Sequence, residues 1–147
     1  MIPGILYRLQ GPAAHASSFP YLVVSDRQDF DQSPDLVTLA SFHKAKGILK
    51  KKVREGLGLE FLIGRVRKMT GESAAKWFGD LRDAYAFCES SGAQFILSSG
   101  ATSPHELVSG RSFDEILDEL GIDHGRYWRQ LELWLQEALS RKVVTAS

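Results

Sequence analysis

LEFLIGRVRKMTGESAAKWFGDLRDAYAFCESSGAQFILSS, residues 59–99, decides the fold. It opens on an apolar run of strand length, 59–63, that carries one glutamate, Glu60. A basic loop follows, and then a segment from about 74 to 90 in which Trp77, Phe78, Leu81, Ala84, Tyr85 and Cys88 recur at spacings of three and four. That spacing predicts a helix with one broad apolar stripe, suited to packing on a sheet. Ser73 is placed to cap its first turn, and Gly92 to end it. Residues 94–99, QFILSS, then read as another strand. Strand, helix, strand is a parallel βα unit.

The same alternation extends outward in both directions. Upstream, YLVV at 21–24 and DLVTL at 35–39 are short β-rich runs separated by a polar loop. Residues 45–54 are helix-like, with Ile48, Leu49 and Val53 on one face and the lysines toward water. Downstream, SFDEILDELG at 112–121 is punctuated as a helix. Ser112 and Glu115 form a capping box, Phe113, Ile116, Leu117 and Leu120 the buried face, and Gly121 the stop. A last helix at about 125–142 should bury Tyr127 or Trp128, Leu131, Trp134, Leu135, Ala138 and Leu139. The expectation is a single α/β domain, residues 1–147, whose parallel βα units form an open sheet or part of a barrel.

Composition narrows the setting. A chain of 147 residues with 44% hydrophobic positions can bury a sizeable core in one domain. Cys88 is the single cysteine, so there is no internal disulfide, and a reducing, cytoplasmic location is expected. The first sixteen residues lack a basic n-region, and nowhere do about 18 apolar residues run together, so neither a signal peptide nor a membrane span is expected.

Eighteen basic and eighteen acidic residues balance overall, but not locally. Residues 43–68 hold nine bases and two acids, a net of +7, whereas residues 106–123 hold six acids and one base, a net of −5. The first segment is suited to polyanions through Coulomb attraction and counterion release; a solvated lysine-rich helix face gives the same count.

Catalytic constellations are missing. Leu-Ser-Ser-Gly-Ala at 97–101 is not the G-x-S-x-G elbow, and His105 is merely near Ser99 in sequence. His15, His43, His105 and His124 have no spacing that would place two imidazoles on one metal ion. Asp26, Asp29, Asp31 and Asp35 are not in EF-hand order, and no P-loop or dinucleotide motif occurs. In a parallel α/β fold, ligands meet the carboxyl ends of strands, and Ser98, Ser99 and Gly100 stand at such an end. Their hydroxyls and close-approaching backbone suit phosphate oxygens, as they suit a tight strand-to-helix turn.

From Leu59 onward these residues resemble a known family. LEFLI with its glutamate, the basic loop, Lys76 early in the next helix, and FILSSGATSPHELVSGRSFDEILDELGI resemble ribonuclease P protein component 3, the PHP-like subunit of archaeal-type and eukaryotic ribonuclease P. The resemblance spans about 35–142, and SSGAT followed by Arg111 is its most specific part. It implies a TIM-barrel-like fold and a Pop5-like, RRM-type protein partner. It also implies a role as an RNA-binding subunit that helps a catalytic RNA remove the 5′ leader of precursor tRNA. The endoribonuclease chemistry then belongs to the RNA and its Mg2+, with no cofactor and no catalytic residue on this chain. Carried over, the RNA-contacting residues fall on Arg65, Arg67, Lys68, Lys76 and Arg111, beside Ser98, Ser99 and Gly100. Lys50 and Arg54 join them on charge density.

An eight-stranded barrel needs about 200–250 residues, so 147 residues imply a shortened or partial one. Its open parallel edge would then need a partner or a second copy to cover it. Two other functions stay open: a diverged metal-dependent phosphoesterase of the PHP class, and a scaffold that binds only protein.

Overall fold

The computed structural model describes residues 24–25, 35–64, 69–99 and 110–146. Within them the order is β1 (Val24–Ser25), β2 (Leu36–Leu39), α1 (Phe42–Lys52), β3 (Gly58–Leu62), α2 (Gly71–Ser91), β4 (Gln94–Ser98), α3 (Gly110–Glu119) and α4 (His124–Ala146). The strands pair in parallel in the order β1-β2-β3-β4, so the mixed α/β class and the parallel pairing expected of the sequence are found. β1 adds two residues; β2, β3 and β4 carry the sheet. Residues 21–23 of the first expected strand lie outside the described residues.

Parallel strands are covered on both faces, which is why LVTL, GLEFL and QFILS read as nearly unbroken apolar runs. Side chains alternate across the sheet. Val37, Leu39, Leu59, Phe61, Phe95 and Leu97 share one face, and α2 covers it, the Tyr85 ring meeting Phe95 edge-on at 5.5 Å. Leu36, Gly58 and Ile96 share the other face, under Trp134 of α4. A Cβ on Gly58 would stand 2.8 Å from atoms of Ile96 and Trp134 and 2.9 Å from Leu36 Cβ, so only glycine lets the indole lie on the strand.

The helices follow their apolar stripes but begin elsewhere than local signals place them. α1 buries Phe42, Ala45 and Leu49 and starts three residues before the expected 45, while Ile48, expected on the buried face, is exposed. α2 begins at Gly71 with Thr70, not Ser73, as its N-cap residue. Its stripe holds, with Leu81, Ala84 and Cys88 buried and Trp77, Phe78 and Tyr85 partly so. α3 begins at Gly110, so Ser112 sits inside the helix instead of capping it, and Glu115 reaches back to Arg111.

Helix ends match the glycine signals better. Gly92 ends α2 at φ 79°. Beyond α3, Gly121 N–H donates to the Asp118 carbonyl and Ile122 N–H to the Leu117 carbonyl, a Schellman pattern with Gly121 at φ 76°. Asp123 then caps α4, accepting from Arg126 N–H at 2.9 Å, a bond that holds its carboxyl below the usual range.

At the outer edge of β4 two backbone groups are engaged by side chains of the chain itself. Leu97 N–H donates to the Tyr127 hydroxyl at 2.9 Å, and Gln94 Nε2 donates to the Phe95 carbonyl at 3.0 Å. These two groups are thereby less available to another strand. α4 lies along this edge, Tyr127 fully inside and Trp134 Nε1 donating to the Gly56 carbonyl at 2.7 Å.

Burial sets a pH limit on this packing. The Cys88 thiol is pushed up to about 12, chiefly by burial and secondarily by the Glu89 carboxylate. Burial likewise raises the Tyr127 phenol; the Leu97 N–H opposes this in part and Glu60 adds to it. Both groups have folded pKa values above their unfolded ones. Their contribution to stability is therefore complete below the unfolded thiol value and lost as pH rises through the raised ones. Melting temperature should be level from pH 7 to about 8.5 and fall beyond about 9. Thiol alkylation of native protein at pH 8.5 should run at the unfolding rate, because burial leaves little reactive thiolate. Rapid single-phase labelling of folded protein would contradict this.

Candidate nucleic-acid interface

A parallel sheet gathers all its carboxyl ends on one edge, and here the ends of β3 and β4 are joined. The ladder continues past both strands: Ile63 N–H donates to the Ser98 carbonyl and Gly64 N–H to the Ser99 carbonyl, each at 2.9 Å. A Cβ at position 64 would lie 2.5 Å from the Ser99 carbonyl oxygen, so glycine is what lets the two chains close on each other. The basic loop leaves from Gly64 and the Ser-Gly-Ala-Thr loop from Ser99. Arg65, Arg67, Lys68 and Gly100 lie outside the described residues. Their points of departure are fixed side by side.

Two further bases stand on α2, which starts from this edge, and on α3, which follows the Ser-Gly-Ala-Thr loop in the chain. Lys76, in the second turn of α2, has a side chain 77% exposed and pairs with Glu72 at 3.4 Å. Arg111, second residue of α3, is 89% exposed and pairs with Glu115 at 3.4 Å. Both are i,i+4 pairs on open helix surface, worth about 0.2–0.5 kcal/mol each, so either base can exchange its carboxylate for a phosphate at small cost.

Lys50 and Arg54 are placed elsewhere. α1 returns from the carboxyl end of β2 to the amino end of β3, so its last turn and the segment after it lie at the opposite end of the sheet. Glu55 confirms this position by lying against Gly92, just before β4. Charge counted along the chain ignores the reversal of direction in each βα unit, so the last bases of α1 stand away from the edge at which the basic loop departs.

Ser98 and Ser99 reach the edge, but both are fully buried, so their hydroxyls are enclosed and not turned to a surface polyanion. Ser98 Oγ has no hydrogen-bond partner among the described residues. A buried hydroxyl left unpaired costs about 1–3 kcal/mol. Ser98→Ala is therefore expected to leave stability unchanged or raise it, by up to about 1 kcal/mol. A drop in melting temperature would show the hydroxyl to be bonded in solution.

The glutamate noted in the sequence, Glu60, was given no role there and is a third polar group. Glu60 is wholly buried in β3 and accepts a 2.7 Å hydrogen bond from Thr38 Oγ1 directly across from it on β2. Its signal was plain, a carboxylate inside an apolar pentapeptide, yet its partner is 22 residues away and depends on register. Thr38, Glu60 and Ser98 alternate onto the face that holds Gly58 and Ile96, which makes this face more polar than the one under α2.

Other ionic groups serve the scaffold. Asp80 of α2 accepts from Phe42 N–H at 2.8 Å and His43 N–H at 2.9 Å, capping α1 from another helix. His124 meets Asp118 at 2.9 Å, and Trp128 Nε1 donates to Asp114 at 2.9 Å, tying α3 to α4. Two acids of the −5 segment, Asp114 and Asp118, are thereby engaged by α4. Among the described residues no three His, Cys, Asp or Glu side chains gather as a metal site, and no helix is long and apolar enough to cross a membrane. No family model matches the chain, nor does any curated protein or solved structure.

Proposed function

We propose that this chain is an RNA-binding subunit of the ribonuclease P protein component 3 type. In this role it supports a catalytic RNA in removing the 5′ leader of precursor tRNA, with a Pop5-like protein beside it and Mg2+ held by the RNA. One observation carries the reading. The two segments richest in the resemblance, the basic loop and the Ser-Ser-Gly loop, depart from adjacent strand ends clasped through Gly64 and Ser99. Exposed Lys76 and Arg111 stand on the helices that follow those loops. A rigid sheet edge from which a basic loop departs is suited to positioning phosphates without reading bases, as a large folded RNA requires.

The shortened barrel belongs to the same proposal. Sequentially ordered parallel strands β1-β2-β3-β4, ending at an edge engaged by Tyr127 and Gln94, are what a truncated βα barrel would present. The RNA surface is narrowed to the carboxyl edge, with Lys50 and Arg54 outside it.

Reconstitution tests the function. An archaeal-type ribonuclease P RNA, a Pop5-like protein and precursor tRNA are assayed for 5′ cleavage at limiting Mg2+, with and without this chain. The proposal expects faster cleavage when it is present. Unchanged cleavage, or cleavage by the chain alone, would reject it.

A further inference from the structure

At the amino end of the sheet, opposite the proposed RNA edge, an open groove of about 650 Å³ runs between α4, the end of α2 and the turns that precede β3 and β4. Its floor includes Trp134, whose indole is held by the Gly56 carbonyl, and Gly92. Leu133 stands at its wall 65% exposed, whereas Leu131 and Leu135 of the same helix are buried. Three carboxylates, Glu55, Glu89 and Glu137, line it, and among the described residues no lysine, arginine or histidine does. Glu89 meets Arg126 at 3.7 Å; Glu55 and Glu137 make no ion pair among the described residues. The lysines of the last turn of α1 share this end of the sheet but do not line the groove, so its walls remain acidic.

An exposed leucine beside a fixed indole offers apolar contact, and the surrounding carboxylates select the sign of what comes with it. We propose that the groove docks a lysine- or arginine-bearing peptide segment of a protein partner, an aliphatic side chain resting on Leu133 and Trp134 with cations against Glu55, Glu89 and Glu137. The volume falls in the range that holds a few side chains, and charge complementarity at such a rim sets orientation and partner choice. This site is independent of the RNA edge and survives if that edge binds nothing.

The probe is a seven-residue peptide of alternating lysine and leucine, titrated into the full chain while the indole resonance of Trp134 is followed by NMR at 0.15 M salt. A saturable shift is expected, weakened about tenfold by Glu55→Gln with Glu137→Gln, and weakened also by Leu133→Ser. Glu72→Gln with Glu115→Gln, neither of which lines the groove, should bind like wild type. All these side chains are exposed, so equal melting temperatures establish that folding is intact. The proposal is overturned if no shift saturates, if a glutamate–leucine peptide binds as well, if the Glu55 and Glu137 double variant binds undiminished, or if an RNA oligonucleotide gives the same Trp134 shift.

Discussion

Gly64→Ala is expected to lower the melting temperature by about 6–10 °C, the equivalent of about 2–3 kcal/mol. The added methyl would stand 2.5 Å from the Ser99 carbonyl oxygen, and the obstacle is backbone, which cannot swing aside as a long side chain does. Relief requires the ends of β3 and β4 to part, breaking the Gly64 N–H bond to Ser99 and separating the origins of the two loops. RNA affinity should fall with it, by more than the loss of folded protein accounts for. Gly79→Ala is the matched control. Nothing lies within 4 Å of its Cβ, and inside α2 alanine is worth up to about 1 kcal/mol more than glycine, so that variant should be stabilised. Thermal melts of both settle whether position 64 is a clasp or merely a turn; equal, small effects would remove the clasp.

Asp80→Ala should cost about 2–3 kcal/mol, measured as a lower urea midpoint at unchanged slope. Its carboxylate takes the first two N–H groups of α1, both of which lose their partner on truncation, and it lies near His43 Nε2 at 3.5 Å. Asp80→Asn keeps an acceptor and should recover about half of the loss. A loss in Asp80→Ala no larger than that in His43→Ala would mean that the helix start is held by Ser41, whose own bond to Lys44 N–H is long at 3.5 Å.

Both residues show what could and could not be read in advance. The period of three and four in α2, the glycine stops at 92 and 121, and the apolar runs of β2, β3 and β4 are local signals. Element type, order and parallel pairing followed from them. Helix starts did not follow. Ser73 and Ser112 have the right chemistry for caps, but α1 is capped by Asp80 on another helix, and α2 begins at Gly71 without any side-chain cap bond. Tertiary partners of this kind leave no mark in the nearby sequence. The outer edge of β4 is a similar case, since Tyr127 was visible as a buried aromatic while the role of its hydroxyl depends on α4 lying along that edge. For the site, the carboxyl edge and its two adjacent loops were legible from strand order. The burial of Ser98 and Ser99 was not, and neither was the removal of Lys50 and Arg54 to the far end, because each depends on the direction a segment runs in space.

The claim at the centre of this account is that RNA is held by the carboxyl edge with the helices that follow its two loops, and not by the chain's lysine count. The most direct test is the salt dependence of binding to ribonuclease P RNA for wild type, for Lys76→Ala with Arg111→Ala, and for Lys50→Ala with Arg54→Ala. Removing two phosphate contacts should flatten the slope of log affinity against log salt by about 1.4–1.8 in the first double variant and leave it unaltered in the second. A wild-type chain with no RNA affinity at low salt, or a slope that changes only in the Lys50 and Arg54 variant, would contradict it.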